Sequence, residues 1–257
     1  MCAVLVAHGC LSDGAAVVVA NRDEDVNRPS GPPETIGGSV AMVIAGRDLL
    51  AGGTWLGVNQ HGLMVGITNG PRLGRHRPEL RSRGHVTMEA LRSVDGDSCQ
   101  QWMAGLDPKQ YNPFNLIAID PARAWVAISD GRRLSFEPLK AGFHSLSVFG
   151  LDAVPGALGQ RLAGALEQGA RPSCAQTLEQ FVQISKWHKP GTGPVGAPNV
   201  IGFCHHGAVH ATVCSSRLVF DGSGVATFEH LLGRPCEAAA TELSLPWLTT
   251  SDGVPTG

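Results

Sequence analysis

The first third of the chain is dominated by short apolar runs of β-branched residues with turn residues between them. "CAVLVAH" at 2–8 and "AAVVVANR" at 15–22 flank the turn "GCLSDG", which predicts an antiparallel hairpin. "SVAMVIAG" at 39–46 and "LMVGITN" at 63–69 read as further strands, with "GVNQHGL" at 57–63 as a turn. The spacing changes at Ser82, a capping residue, after which Val86, Leu91 and Val94 recur at helical intervals. A short helix follows over 97–106, stopped by Gly105 and Pro108. Strands return at 115–120, 124–130 and 133–139, joined by turns at Asp120-Pro121 and Asp130-Gly131. Helices are expected over about 156–169 and 174–184, then a Gly/Pro-rich surface loop. The last strands are "NVIGF", "AVHATVC", "SRLVF" and "VATFEH", and residues 249–257 read as a frayed tail. Strands joined by hairpins, with helices in two blocks, predict antiparallel sheets with helices packed outside. The expectation is one layered α+β domain over residues 1–257.

Composition narrows the function classes. The chain has 257 residues, 43% hydrophobic, with a net charge of −2 and no acidic or basic tail. Nothing in that balance calls for nucleic acid or a charged membrane surface. The longest apolar run, "GAAVVVA", falls far short of the roughly 20 residues of a membrane span. "AVLVA" is too short for a signal peptide, so a soluble cytoplasmic protein is expected. Seven cysteines (2, 10, 99, 174, 204, 214 and 236), without a CxxC pair, fit reduced thiols better than a disulfide framework.

The candidate chemistry starts at the second residue. Removal of Met1 would leave Cys2 with a thiol and a free α-amine on one carbon. The thiol titrates near pH 8.5 and the amine at about 7.7–8.0, so the amine can take the thiol proton at neutral pH. "NRDEDVNRP" then crowds Arg22, Asp23, Glu24, Asp25 and Arg28 into seven residues at the end of the hairpin partner. Antiparallel pairing sets Cys2 opposite residues near 20–22, with Arg22 able to lower a thiol pKa. Asn69 ends a strand before a Gly-Pro turn, where its amide can donate to a developing oxyanion. Trp55 follows two glycines as a pocket-lining candidate. The basic loop 72–83, which ends at Arg83, suits a rim for an anionic ligand such as a carboxylate or a phosphate-bearing acyl carrier.

Taken in order, the "MC" start, "ANRDE" with "RP" after it, "GGTWLGVN-x-x-G" with "TN" after it, and "SRG" opening a helix resemble the NRDE family of transport and Golgi organisation protein 2 homologues. "YNPFNLIAID" and "LKAGFHSLS" extend the likeness. The resemblance implies the N-terminal nucleophile (Ntn) hydrolase fold, a four-layer αββα sandwich of two antiparallel sheets. It also implies a distant similarity to choloylglycine hydrolases and penicillin V acylases, in which a cysteine after Met is served by a nearby arginine and aspartate. Carried over, it assigns Cys2, Arg22, Asp23 and Asn69 to catalysis. Trp55, Glu24, Arg28, Arg83 and Arg217 are assigned to the substrate pocket, with no metal and no cofactor. Two positions depart from the family pattern: Val148 stands where an asparagine is usual, and Val213 where an arginine is usual. Arg217, four residues on, shares a strand face with Val213 and is the candidate substitute.

The stretch "CHHGAVHATVC" holds Cys204, His205, His206, His210 and Cys214, but strand alternation scatters them and no usual zinc spacing occurs, so no metal is assigned. The family's link to haem trafficking raises haem as a possible ligand. The expectation is a cysteine Ntn-type acyl hydrolase or acyltransferase acting on a small amide or thioester. A non-catalytic protein that binds haem or an acyl thioester is the alternative.

Overall fold

The hairpin at the start of the chain forms as its pattern predicts. β1 (Cys2–His8) pairs antiparallel with β2 (Ala16–Asp25), and the register sets Cys2 opposite Arg22. The computed structural model describes residues 2–37, 41–71, 76–153, 171–188 and 202–247. On the other side of β1 lies β10 (Gly142–Ser147), followed by the short edge strand β11 (Gly150–Leu151). On the other side of β2 lies β12 (His210–Asp221), then β13 (Gly224–Leu232) and β14 (Thr241–Glu242). The first sheet therefore runs β11-β10-β1-β2-β12-β13-β14.

The second sheet is a meander in chain order: β3 (Ser30–Ile36), β4 (Val43–Asp48), β5 (Leu56–Asn59), β6 (Met64–Asn69), β7 (Phe114–Ile119), β8 (Ala124–Ser129) and β9 (Leu134–Pro138). Every pairing in both sheets is antiparallel.

Alternation along the strands builds four layers. Even-numbered positions of the first sheet, among them Val4, Val18 and Leu218, meet Ile44, Val58, Met64 and Ile117 of the second sheet in one buried core. Each fully buried Val, Leu or Ile there contributes roughly 1.5–3 kcal/mol. Odd positions such as Leu5, Val17 and Val19 face outward and bury Phe181 and Ile184 of α3 (Cys174–Lys186). The outer face of the second sheet is covered by α1 (Gly84–Ala90) and α2 (Gly96–Ala104), through Val86, Leu91 and Met103. The result is the αββα order.

Two glycine contacts hold this arrangement. Gly53 and Gly84 bring their backbones together, with the Thr54 amide donating to the Gly84 carbonyl at 3.1 Å, and a Cβ on Gly53 would collide with Gly84. Gly62, at φ +83°, and Gly224, at φ +134°, sit in turns of opposite sheets and touch; a Cβ on Gly62 would come within 2.9 Å of the Gly224 Cα. That contact lies at the Phe220 end of β12 and the Met64 end of β6, the far ends from Arg22 and Asn69.

Several elements differ from the expectation. β3 carries Pro32 and Pro33 and was not expected as a strand; it forms because it is a sheet edge, where missing amide donors are tolerated. "LGVN" is the strand β5 rather than part of a turn, because Asn59, fully buried, accepts from the His61 and Leu63 amides and so confines the turn to residues 60–63. β10 is a strand that its polar sequence concealed. The two strands expected at 208–214 and 216–220 are one strand, β12, with a bulge between Thr212 and Cys214. Gly202 and Phe203 lie in a bend, not a strand. The first helix starts at Gly84 rather than Ser82. The helix expected at 156–169, the tail at 249–257 and the Gly/Pro-rich loop at 189–198 lie outside the described residues.

Candidate active site

The "NRDE" tetrad ends β2, and alternation divides it between two faces. Arg22 turns into the space between the sheets, where its guanidinium lies 4.1 Å from the Trp55 ring centroid. It is 4% exposed, 3.7 Å from Glu24, and its Nη1 is buried with no hydrogen-bond partner among the described residues. Glu24 also lies 3.8 Å from Arg28, which forms a fork on Asp48 with Nη2 to Oδ2 at 2.6 Å. Burial opposes the Asp48 charge, but the Arg28 fork and the Leu50 and Ala51 amides outweigh it and hold its pKa below the ordinary value.

Asn21 and Asp23 turn to the outer face. The Asn21 amide donates to the carbonyls of Ser185 and Phe203, both at 3.0 Å, which ties β2 to α3 and to the 202–206 bend. Asp23 accepts from the Thr212 hydroxyl at 2.6 Å, and that hydroxyl oxygen accepts in turn from the His205 amide at 2.8 Å. Burial pushes the Asp23 carboxyl up to about 6, against the opposing pull of the N-terminal amine's charge and, after it, of the Thr212 bond.

The inner face opens into a cavity of about 830 Å³. Arg22, Glu24, Arg28, Trp55, Asn69 and Arg83 all line it, so six of the residues assigned from the sequence share one site. The side-chain amide of Asn69 makes no hydrogen bond among the described residues. Arg77 and Arg81 form part of the rim without an ion-pair partner among the described residues. Arg77 is held by reciprocal backbone bonds to Asn112, and Arg81 lies over the Tyr111 ring. The Arg83 guanidinium donates to the Pro113 carbonyl at 3.1 Å. The described lining has five arginines against three carboxylates, a composition that suits an anionic ligand.

Two assigned residues are not part of this lining, though the N-terminal amine's charge still bears on one of them, Asp23. Asp23 is not among the described residues that line the cavity. Arg217 faces the outer side, pairs with Glu229 at 3.1 Å and does not replace the charge absent at Val213. Val213 itself is the extra residue of the β12 bulge, so the alternation that joined it to Arg217 breaks there. Val148 occupies the β10–β11 turn.

Sequence reasoning missed Asn115. Fully buried on β7, it donates to the Ser147 carbonyl at 2.8 Å and approaches Thr68 and the Asn69 carbonyl, linking the Asn69 strand to β10 across the two sheets. A lone asparagine inside "FNLIAI" was the available signal. It also missed the partners gathered around Cys204 and His206, namely His188 and Cys236.

The family model described as Transport and Golgi organisation 2 matches residues 1–190. The chain is similar to the mouse Transport and Golgi organization 2 homolog, 34% identical over 139 residues, which are 51% of this chain and 49% of the mouse protein. The match thus spans about half the length of that relative. Among solved structures, the penicillin V acylase of Agrobacterium tumefaciens superposes with a TM-score of 0.55 at 9% identity, covering 98% of this chain and 89% of the acylase. The Caenorhabditis elegans ortholog of N-acylethanolamine-hydrolyzing acid amidase gives 0.50 at 13% identity, covering 84% and 92%. These neighbours are Ntn-hydrolase fold proteins, and the chain shares that fold. No helix among the described residues is long and apolar enough to cross a membrane.

Proposed function

We propose, for a chain that belongs to the Transport and Golgi organisation 2 family, an N-terminal-cysteine acyl hydrolase or acyltransferase acting on a small anionic amide or thioester. The observation that carries this reading is the β1–β2 register: the backbone of Cys2 lies opposite a buried arginine that lines a cavity shared with Asn69. The reading requires Cys2 to become the terminal residue. Its α-amine then accepts the thiol proton, and sulfur attacks the carbonyl carbon. The carbonyl oxygen gains negative charge and takes a hydrogen bond from the Asn69 amide. Collapse forms an acyl thioester as the leaving group departs with the proton. The freed amine deprotonates water or an acceptor amine, which attacks the thioester and releases the acyl product. Arg22 favours the thiolate, and its Nη1, unpartnered among the described residues, together with the rim arginines favours a carboxylate or phosphate on the substrate.

A second reading follows from Val213 and Val148, which bring neither charge nor a hydrogen bond where the family pattern has arginine and asparagine. Under it, the same cavity holds haem or an acyl thioester without turnover.

One experiment separates the two. The mass of the N-terminal peptide establishes whether Met1 is removed, and a panel of carboxylate-bearing amides and acyl thioesters is then assayed with the wild type and Cys2→Ala. Turnover in the wild type that disappears in the variant supports catalysis. Turnover that survives in the variant rejects the mechanism. Ligand retention by both proteins, with no turnover in either, supports the second reading.

A further inference from the structure

Outside the cavity, on the outer face of the first sheet, four side chains from three separate segments converge. His188 follows α3, Cys204 and His206 lie in the 202–206 bend, and Cys236 lies in the turn after β13. One donor atom from each lies within 4.8 Å of the other three. We infer that these residues form a zinc site of two thiolates and two imidazoles, which pins the end of α3 to the loops beside Asp23.

The spacing among the donors carries the inference. The Cys204 sulfur is 3.5 Å from the Cys236 sulfur and 3.5 Å from His206 Nε2, and His206 Nε2 is 3.2 Å from the Cys236 sulfur. Tetrahedral zinc, with bonds of about 2.3 Å to sulfur and about 2.0–2.1 Å to nitrogen, sets donor–donor edges of roughly 3.3–3.8 Å. The observed edges lie within or just below that range, before any ion has drawn the ligands into place. The His188 and His206 rings lie side by side, their centroids 4.3 Å apart.

One nitrogen of each imidazole already lies near an oxygen. His188 Nδ1 is 3.1 Å from the Lys186 carbonyl, which can only accept, so Nδ1 carries the proton and Nε2 keeps its lone pair. His206 Nδ1 is 3.7 Å from the Glu237 carboxylate, while its Nε2 faces the two sulfurs. Oxygen acceptors behind both imidazoles are what metal-ligating histidines ordinarily have.

The backbone holds the donors as well. The amides of Phe203 and Cys204 both donate to the Trp187 carbonyl, at 2.9 and 3.0 Å, fixing the bend against the residue before His188. Cys204 is buried, whereas His188 and His206 are exposed, so the cluster can be loaded from solvent. Two sulfurs and two nitrogens in this geometry favour zinc over the oxygen-seeking cations. On binding, both thiols release their protons to solvent and the two thiolates neutralise the ion, with no change in oxidation state. Cys204 and His206 stand out in the sequence by residue type, but the positions 188, 204, 206 and 236 together match no standard zinc spacing.

The test uses the full chain, purified under reducing conditions, loaded with Zn²⁺ and desalted through a weak chelator. The expected result is about one zinc per chain. Co²⁺ in its place should give the strong visible bands of tetrahedral thiolate coordination. Zinc should also protect Cys204 and Cys236, but not Cys10, from alkylation read by peptide mass. Cys236→Ser and His206→Ala should each weaken zinc binding at least tenfold, with His205→Ala unchanged. If either variant fails to fold, the cobalt spectrum and the protection pattern of the wild type decide. Reduced wild type that retains no zinc, alkylation indifferent to zinc, or a Cys204–Cys236 disulfide that forms and persists with zinc present would overturn the inference.

Discussion

Arg22 and Asp23 are neighbours in the chain with opposite surroundings. Arg22 enters a cavity rich in arginine, rests on Trp55 and keeps one nitrogen without a hydrogen-bond partner among the described residues. Asp23 enters the packed outer face, where a threonine hydroxyl binds it and burial raises its pKa to about 6. One face presents charge to the cavity, and the other uses polar groups to join β2 to α3, β12 and the 202–206 bend. A tetrad that reads as a single motif therefore serves two purposes, and substitutions on the two faces should fail in different ways.

The largest effect is expected from Arg22→Ala. Loss of the buried cation beside the Cys2 position should lower turnover by roughly 10²–10³-fold, as loss of a charge-stabilising group does. Steady-state kinetics on any substrate found for the wild type checks it; a change under threefold would remove Arg22 from the site.

Asp23 should show itself in the pH dependence of stability. The fold raises its pKa above the ordinary 3.8, so the native state holds this proton more tightly than the unfolded chain does. Its stabilising contribution is present below about pH 4 and is lost as pH rises through about 6, up to about 3 kcal/mol. His230 has the opposite slope: burial lowers it to about 4, so its contribution is present above pH 6.5 and is lost as pH falls toward 4. The two slopes offset each other in the wild type. Denaturant midpoints between pH 4 and 6.5 should therefore rise more steeply with pH in Asp23→Asn.

Asn21→Ala strips donors from two carbonyls and should cost about 2–3 kcal/mol of stability while leaving kcat within a few-fold. Chemical denaturation with parallel kinetics separates that outcome from a loss of activity. Arg217→Ala removes only a partly exposed pair with Glu229 and should change stability by less than about 1 kcal/mol, with no effect on turnover. A catalytic defect there would mean that Arg217 does reach the ligand.

The sequence was most informative where alternation was regular. β1, β2 and their register could be read because two β-branched runs flank one turn, and that register alone sets Cys2 opposite Arg22. The motif glycines were visible, but their purpose was not. Gly53 and Gly84 meet through the backbone, a contact that leaves no periodic trace. β3 was hidden by its prolines and β10 by its polar residues, since edge position and tertiary pairing decide both. The expectation that Arg217 stands in for Val213 assumed an unbroken strand, and the bulge in β12 removes that assumption. The group around Cys204 escaped because two of its members come from the segment after α3 and from the turn after β13.

The contact between Gly62 and Gly224 gives the molecule a clothes-peg construction. Two turns, one from each sheet, clamp the sandwich at one end, while the jaws at the other end hold Arg22 and Asn69. A guest seated between the jaws acts with the strand length as its lever, and the fulcrum stays closed. Amide exchange along β2 and β6 should therefore form a gradient, slowest beside the clamp, and a guest should slow only the jaw end.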